Sequence, residues 1–241
     1  MIRSIYILAW VVVSTFSLGC LAILLSFFRL TGNPVHKIAE LWARSILAVS
    51  GIDVTVRGLA KLDSAKSYIF MSNHQSNFDI PVLLAHLPVQ FRWLAKAELF
   101  KIPILSRSMR AAGYISINRF DQQSAFKSLE QAAAKIQAGV SVMIFPEGTR
   151  SYDGRIRPFK KGGFVLAINS GVPIVPVVIH GTFPIMPKGS LHINPGAVVL
   201  EIQTPIDTAG YSLESKDALI DRVRQVICES FQKGKEREAL C

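Results

Sequence analysis

The feature that most limits how this chain can fold is residues 5–28, IYILAWVVVSTFSLGCLAILLSFF, a run of 24 residues without a charge between Arg3 and Arg29. As a helix rising about 1.5 Å per residue it would measure roughly 36 Å, enough to cross a hydrocarbon core of about 30 Å. A secretory signal would carry a shorter apolar region, about 7–15 residues, ending in a small-residue cleavage site. This run is longer and has no A-x-A. A lipoprotein site at Gly19-Cys20 is poorly matched, because Ser17 stands where leucine is usual and apolar sequence continues past the cysteine. The run therefore reads as a membrane anchor. After the turn Gly32-Asn33-Pro34, residues 36–49 place Ile38, Leu41, Trp42, Ser45, Ile46 and Val49 at spacings of three and four, which marks one helix face. Two helices joined so tightly are expected to form a hairpin that either spans the bilayer or dips into one leaflet. Basic residues on the carboxyl side (Arg29, Lys37 and Arg44 against Arg3) lean toward a cytoplasmic location for the rest of the chain.

Beyond residue 50, strand-like and helix-like stretches alternate. Strands are expected at 52–57, 67–71, 91–95, 114–117, 140–145, 173–180 and 198–202. Helices are expected at 78–86, 124–137, 163–170 and 215–231, with another ending at 109–113. That alternation predicts an α/β domain, a largely parallel mixed sheet flanked by helices, over residues 51–241 behind an N-terminal two-helix membrane anchor at 1–50. With 50% hydrophobic residues and a mean hydropathy of +0.33, the chain is not a disordered basic tail. Its three cysteines, Cys20, Cys228 and Cys241, are scattered and form no C-x-x-C pair, so neither a disulfide framework nor a zinc knuckle is supported.

The charge is informative once it is located. The chain carries 27 Lys and Arg against 17 Asp and Glu, a formal net charge of +10. Between residues 92 and 119 lie Arg92, Lys96, Lys101, Arg107, Arg110 and Arg119 against Glu98 alone. Between 150 and 161 lie Arg150, Arg155, Arg157, Lys160 and Lys161 against Asp153 alone. These two blocks hold nearly all the excess, whereas residues 211–241 balance to zero. Concentrated charge of this kind points to an anion site with anionic lipid nearby. Nucleic acid is not indicated, because the basic residues are not interleaved with stacking aromatics and no nucleic-acid motif is present.

Two motifs carry candidate chemistry, and each follows a strand, where open α/β sheets keep their sites. The first is Asn73-His74-Gln75-Ser76-Asn77-Phe78-Asp79. With His74 in the loop and Asp79 opening a helix, the chain can fold back so that the carboxylate meets Nδ1–H, leaving Nε2 as a base. The same residues also read as a helix start, with Ser76 or Asn77 capping and Asp79 complementing the dipole. The two readings are compatible.

The second motif is Phe145-Pro146-Glu147-Gly148-Thr149-Arg150. Pro146 and Gly148 turn the chain, exposing Arg150, Thr149 and backbone donors suited to a phosphate monoester. Glu147 beside a phosphate would be repulsive, so it is assigned to a hydroxyl or to orienting a nearby Arg. The chain has no G-x-S-x-G, G-x4-G-K-[ST], G-x-G-x-x-G or H-E-x-x-H. No metal site is expected, and His180 and His192 read as structural. A base and an anion site without a nucleophile, nucleotide loop or metal suit direct attack by a substrate hydroxyl on an activated acyl thioester.

These motifs resemble the glycerolipid acyltransferases, most closely the bacterial 1-acylglycerol-3-phosphate acyltransferases. The resemblance rests on four blocks in family order. They are the His74 block, Gly113-Tyr114-Ile115-Ser116-Ile117-Asn118-Arg119, the Glu147 block extended to Ser151, and Val172-Pro173-Ile174-Val175-Pro176-Val177. It implies His74 as general base with Asp79 as its orienting partner. It also implies that Arg119 and the turn Glu147, Gly148, Thr149 and Arg150 bind the glycerol-phosphate, with residues 172–177 shaping the pocket and Lys96 or Lys101 near the phosphate. Ala97 stands where the family pattern leads us to expect a second lysine.

The implied reaction moves an acyl group from acyl carrier protein or coenzyme A to the sn-2 hydroxyl of lysophosphatidic acid, with no cofactor beyond that co-substrate. The enzyme is expected at a membrane, the inner membrane with its catalytic domain in the cytoplasm. The alternatives are another acceptor (glycerol-3-phosphate or a lyso-aminolipid), a thioester hydrolase, or a non-catalytic anionic-lipid-binding module.

Overall fold

A computed structural model describes residues 1–63, 65–118 and 122–239. The chain begins with α1 (Ile2–Phe27) and α2 (Asn33–Ser50), then β1 (Ile52–Arg57), β2 (Ile69–Ser72), α3 (Asp79–His86) and β3 (Phe91–Lys96). It continues through α4 (Leu105–Ala111), β4 (Ile115–Ile117), α5 (Gln122–Gln137), β5 (Ser141–Ile144) and α6 (Gly162–Ser170). The last elements are β6 (Ile174–His180), α7 (Thr182–Ile185), β7 (Gly196–Ile202) and α8 (Lys216–Ala239). The strands form a seven-stranded sheet in the order β1-β7-β6-β2-β5-β3-β4. From β6 to β4 every neighbouring pair is parallel; β7 runs antiparallel to β6, and β1 runs parallel to β7. This is the mixed, largely parallel sheet that the alternating pattern predicts.

The apolar runs follow from position in the sheet. Every residue of β2, β5 and β6 is buried, as expected for central strands covered on both faces. Alternate residues then serve opposite layers. Phe70, Met143, Val175 and Val177 join one core with Val82 and Leu83 of α3, while Ile69, Met71, Val142 and Ile144 join the other with Phe164 of α6 and Leu219 and Val223 of α8. Toward the β1 edge the pattern loosens into alternation.

The two N-terminal helices are part of this packing. Ile7 of α1 and Ala43, Ile46 and Leu47 of α2 belong to the same core as α3 and the sheet. The helices are tied to one another by Trp42 Nε1 donating to Thr15 Oγ1 at 3.0 Å and Trp10 Nε1 donating to Ser45 Oγ at 3.2 Å. The stripe expected on α2 is kept in part: Ile46 is buried in the core, Trp42 and Val49 pack against it and Ile38 packs against Val35, Ala111 and Ala112, while Leu41 is exposed. The fully buried side of the helix is Val35, His36, Ala43, Ile46, Leu47 and Ser50, and Trp42 and Ser45 also bond α1. A helix covered from two directions is apolar on more than one face, and periodicity alone does not say which face meets the sheet. The outer side of α1 leaves Ile5, Tyr6, Val12, Val13, Phe16 and Leu24 exposed. By length and composition α1 is able to cross a membrane.

Candidate active site

The three central strands β6, β2 and β5 run parallel, so their carboxyl ends emerge side by side. From β2 comes the His74 loop, from β5 the turn 145–150, and from β6 the segment 181–188. Asn73 sets the first of these against β6: its side-chain amide donates to the Ile179 carbonyl and accepts from the Ile179 N–H, both at 2.9 Å, in the manner of a strand residue.

Asp79 opens α3 fully buried, and its carboxylate is saturated. Oδ2 accepts from His74 Nδ1 at 2.7 Å, from the Gln75 N–H at 2.7 Å and from the Ser76 N–H at 2.8 Å, and Oδ1 accepts from the Thr182 hydroxyl. One carboxylate thus ties down the loop backbone and fixes the imidazole. With Nδ1–H committed to Asp79, Nε2 is left with a lone pair. The ring lies flat on Phe145 at 3.8 Å, and Phe145 stacks in turn on Trp93. The His74 side chain is 13% exposed.

Glu147 sits at the centre of the second motif rather than at its surface. It is 2% exposed; Oε1 accepts the His74 N–H at 2.7 Å and Oε2 the Arg157 N–H at 2.8 Å. The Ser151 N–H donates back to the His74 carbonyl at 2.9 Å, and Lys160 N–H to the Pro146 carbonyl at 2.8 Å. The sequence reading gave Glu147 to a substrate hydroxyl or to orienting an Arg. In the fold both its oxygens serve backbone, one of them Arg157's, so it staples the two motifs together. Burial pushes its carboxyl up to about 7, while the N–H donors of Arg157 and His74 pull the other way.

Gly148 turns the chain with φ of 75°, and Thr149 and Arg150 follow half-buried. Arg150 makes no ion pair among the described residues. Lys96 and the exposed Lys101 lie along the same sheet edge, at the end of β3 and in the 3-10 turn Ala97–Lys101 after it. Lys96 is paired with Glu98 at 3.0 Å. The structure brings neither into contact with the dyad. Arg119 lies outside the described residues. Arg92, counted above in a basic block, is buried instead, donating to Asn33 Oδ1 and the Phe91 carbonyl. No cluster of three His, Cys, Asp or Glu side chains suited to a metal ion occurs among the described residues.

Sequence reasoning missed the contribution of segment 181–188. Thr182 donates to Asp79, the Met186 carbonyl accepts the Ser76 hydroxyl at 2.9 Å, and Lys188 Nζ donates to Thr149 Oγ1 at 3.0 Å. The available signal was positional: Gly181 ends the third of three adjacent apolar strands, whose carboxyl ends share one edge.

The fold has counterparts among known proteins. Residues 53–180 match the family model described as Acyltransferase, and the chain belongs to that family. It is 38% identical over 227 residues to the chloroplastic 1-acyl-sn-glycerol-3-phosphate acyltransferase BAT2 of Brassica napus, covering 88% of this chain and 64% of that protein's length. It is 32% identical over 198 residues to the human 1-acyl-sn-glycerol-3-phosphate acyltransferase alpha, covering 82% of this chain and 70% of that protein. Among solved structures, the 1-acyl-sn-glycerophosphate acyltransferase PlsC of Thermotoga maritima superposes with a TM-score of 0.78 at 31% identity, over 97% of this chain and 98% of that one.

Proposed function

We propose that this protein transfers a fatty acyl group from a thioester of acyl carrier protein or coenzyme A to the sn-2 hydroxyl of 1-acyl-sn-glycerol-3-phosphate, giving phosphatidic acid. The observation that carries the proposal is the 2.7 Å contact of His74 Nδ1 with a saturated, buried Asp79, beside the basic turn after β5. The relatives named above support the choice of acceptor.

In this mechanism His74 Nε2 removes the proton of the sn-2 hydroxyl as its oxygen attacks the thioester carbonyl. Asp79 stabilises the imidazolium that forms. The tetrahedral intermediate collapses by breaking the carbon–sulfur bond, and the imidazolium returns its proton to the departing thiolate. No covalent acyl-enzyme and no cofactor beyond the co-substrate is required. Arg150 and its neighbours hold the phosphate, whose oxygens match a guanidinium fork. α1 and the outer side of α2 anchor the chain in a membrane, the inner one in a bacterial cell, with the sheet on the cytoplasmic face.

Purified protein in mixed micelles, given either thioester and a panel of lysophosphatidate, glycerol-3-phosphate and a lyso-aminolipid, tests the assignment. Phosphatidate from lysophosphatidate is the expected product, with no fatty acid released when acceptor is withheld. Thioester hydrolysis without acceptor, or preference for another acceptor, contradicts it.

A further inference from the structure

Lys188 is a second half-buried cation at the basic turn, beside Arg150. Several exposed cations of the basic blocks have counter-ions close by: Arg155 lies 3.8 Å from Asp153, Lys161 3.2 Å from Asp217 and Lys96 3.0 Å from Glu98. Lys188 is half-buried and makes no ion pair among the described residues. Its partners are neutral: Thr149 Oγ1 at 3.0 Å, the Arg150 carbonyl at 3.3 Å, and the face of the Tyr152 ring at 3.6 Å. An ammonium has three donors, and two are placed here. A cation drawn partly out of water against neutral groups is poorly compensated until an anion arrives. The segment that carries it comes from β6, while Thr149 and Arg150 come from β5, so cations reach the site from the strands on either side of β2.

We propose that Lys188 is a further ligand of the acceptor's phosphate monoester, reaching from the segment after β6 to the turn that bears Arg150. It also orders the turn through Thr149 and the Arg150 carbonyl. The inference rests on the acyltransferase reading above and deepens it.

The test compares wild type, Lys188→Met and Lys188→Arg for equilibrium binding of a short-chain lysophosphatidate and of the monoacylglycerol with the same chain, alongside kcat, KM and thermal unfolding. Losing a charge-assisted contact should weaken lysophosphatidate binding in Lys188→Met by about 10- to 100-fold. Monoacylglycerol binding should be unchanged, KM should rise more than kcat falls, and Lys188→Arg should recover part of the loss. Unchanged lysophosphatidate binding, or an equal loss for both lipids, overturns the proposal, the latter by reducing Lys188 to a support for the turn. A wild type that binds lysophosphatidate through Lys188 but transfers no acyl group refutes the reaction and leaves the phosphate ligand standing.

Discussion

At the scale of single residues, the site is held by two buried carboxylates that divide the work. Asp79 gathers one side chain from within its own motif, two backbone N–H groups and the Thr182 hydroxyl, so the imidazole it holds has little freedom. Glu147 gathers two backbone N–H groups from different segments and makes the His74 loop and the turn after β5 one body. Its burial has a consequence for pH. The carboxyl titrates near 4.5 in the unfolded chain and is pushed up to about 7 in the fold. Between those values the folded protein keeps a proton that the unfolded chain has released. The stabilising contribution of this group is therefore complete below about 4.5 and is lost as the pH rises toward 7. Glu147→Gln should flatten the dependence of the unfolding temperature on pH across that window. It should also lower stability by about 1–3 kcal/mol, since one N–H would then face the amide nitrogen. A variant with the wild-type slope contradicts this.

Among the elements, the β6–α7 junction carries a tight constraint. Gly181 has a φ of 85°, and a Cβ there would lie 2.4 Å from the Ala197 carbonyl oxygen of β7. Gly139 has a similar φ of 86° with nothing within 4 Å. The left-handed conformation costs an alanine roughly 1–2 kcal/mol at either position. Gly181→Ala should therefore lower the unfolding temperature well beyond Gly139→Ala and reduce turnover through Thr182; equal effects would refute the close approach. What the sequence made legible follows the same geography. Central strands buried on both faces announce themselves as apolar runs, and the motifs that end β2 and β5 lie in loops rich in breakers and polar residues. Thr182 and Lys188 were hidden because α7 is four residues long and its function is tertiary: nothing local ties Thr182 to an aspartate 103 positions away. Glu147 was legible as important, but one of its two backbone partners, His74, lies 73 positions away, so its role had to come from the fold. The face of α2 was legible only in part, since α1 and the sheet both cover it and Leu41 is left exposed.

For the whole molecule, residues of the N-terminal pair pack into the same core as the sheet. Ile7 of α1 shares a core with Val177 of β6, while the opposite side of α1 is exposed and apolar. In the proposed function, whatever depth α1 takes in a membrane fixes the height of the catalytic edge above the acceptor's headgroup. Part of the basic excess follows this arrangement, with Arg150 in the turn after β5, Lys96, Arg155 and Lys161 paired with carboxylates, and a balanced C-terminal region. The central claim is that His74 acts as the base on the acceptor hydroxyl, and turnover by His74→Ala in mixed micelles tests it most directly. A positioned base contributes about 10²–10⁴-fold, so kcat should fall by about that factor while lysophosphatidate binding and the unfolding temperature stay close to wild type. Turnover near the wild-type rate in a folded, lipid-binding variant would contradict the account.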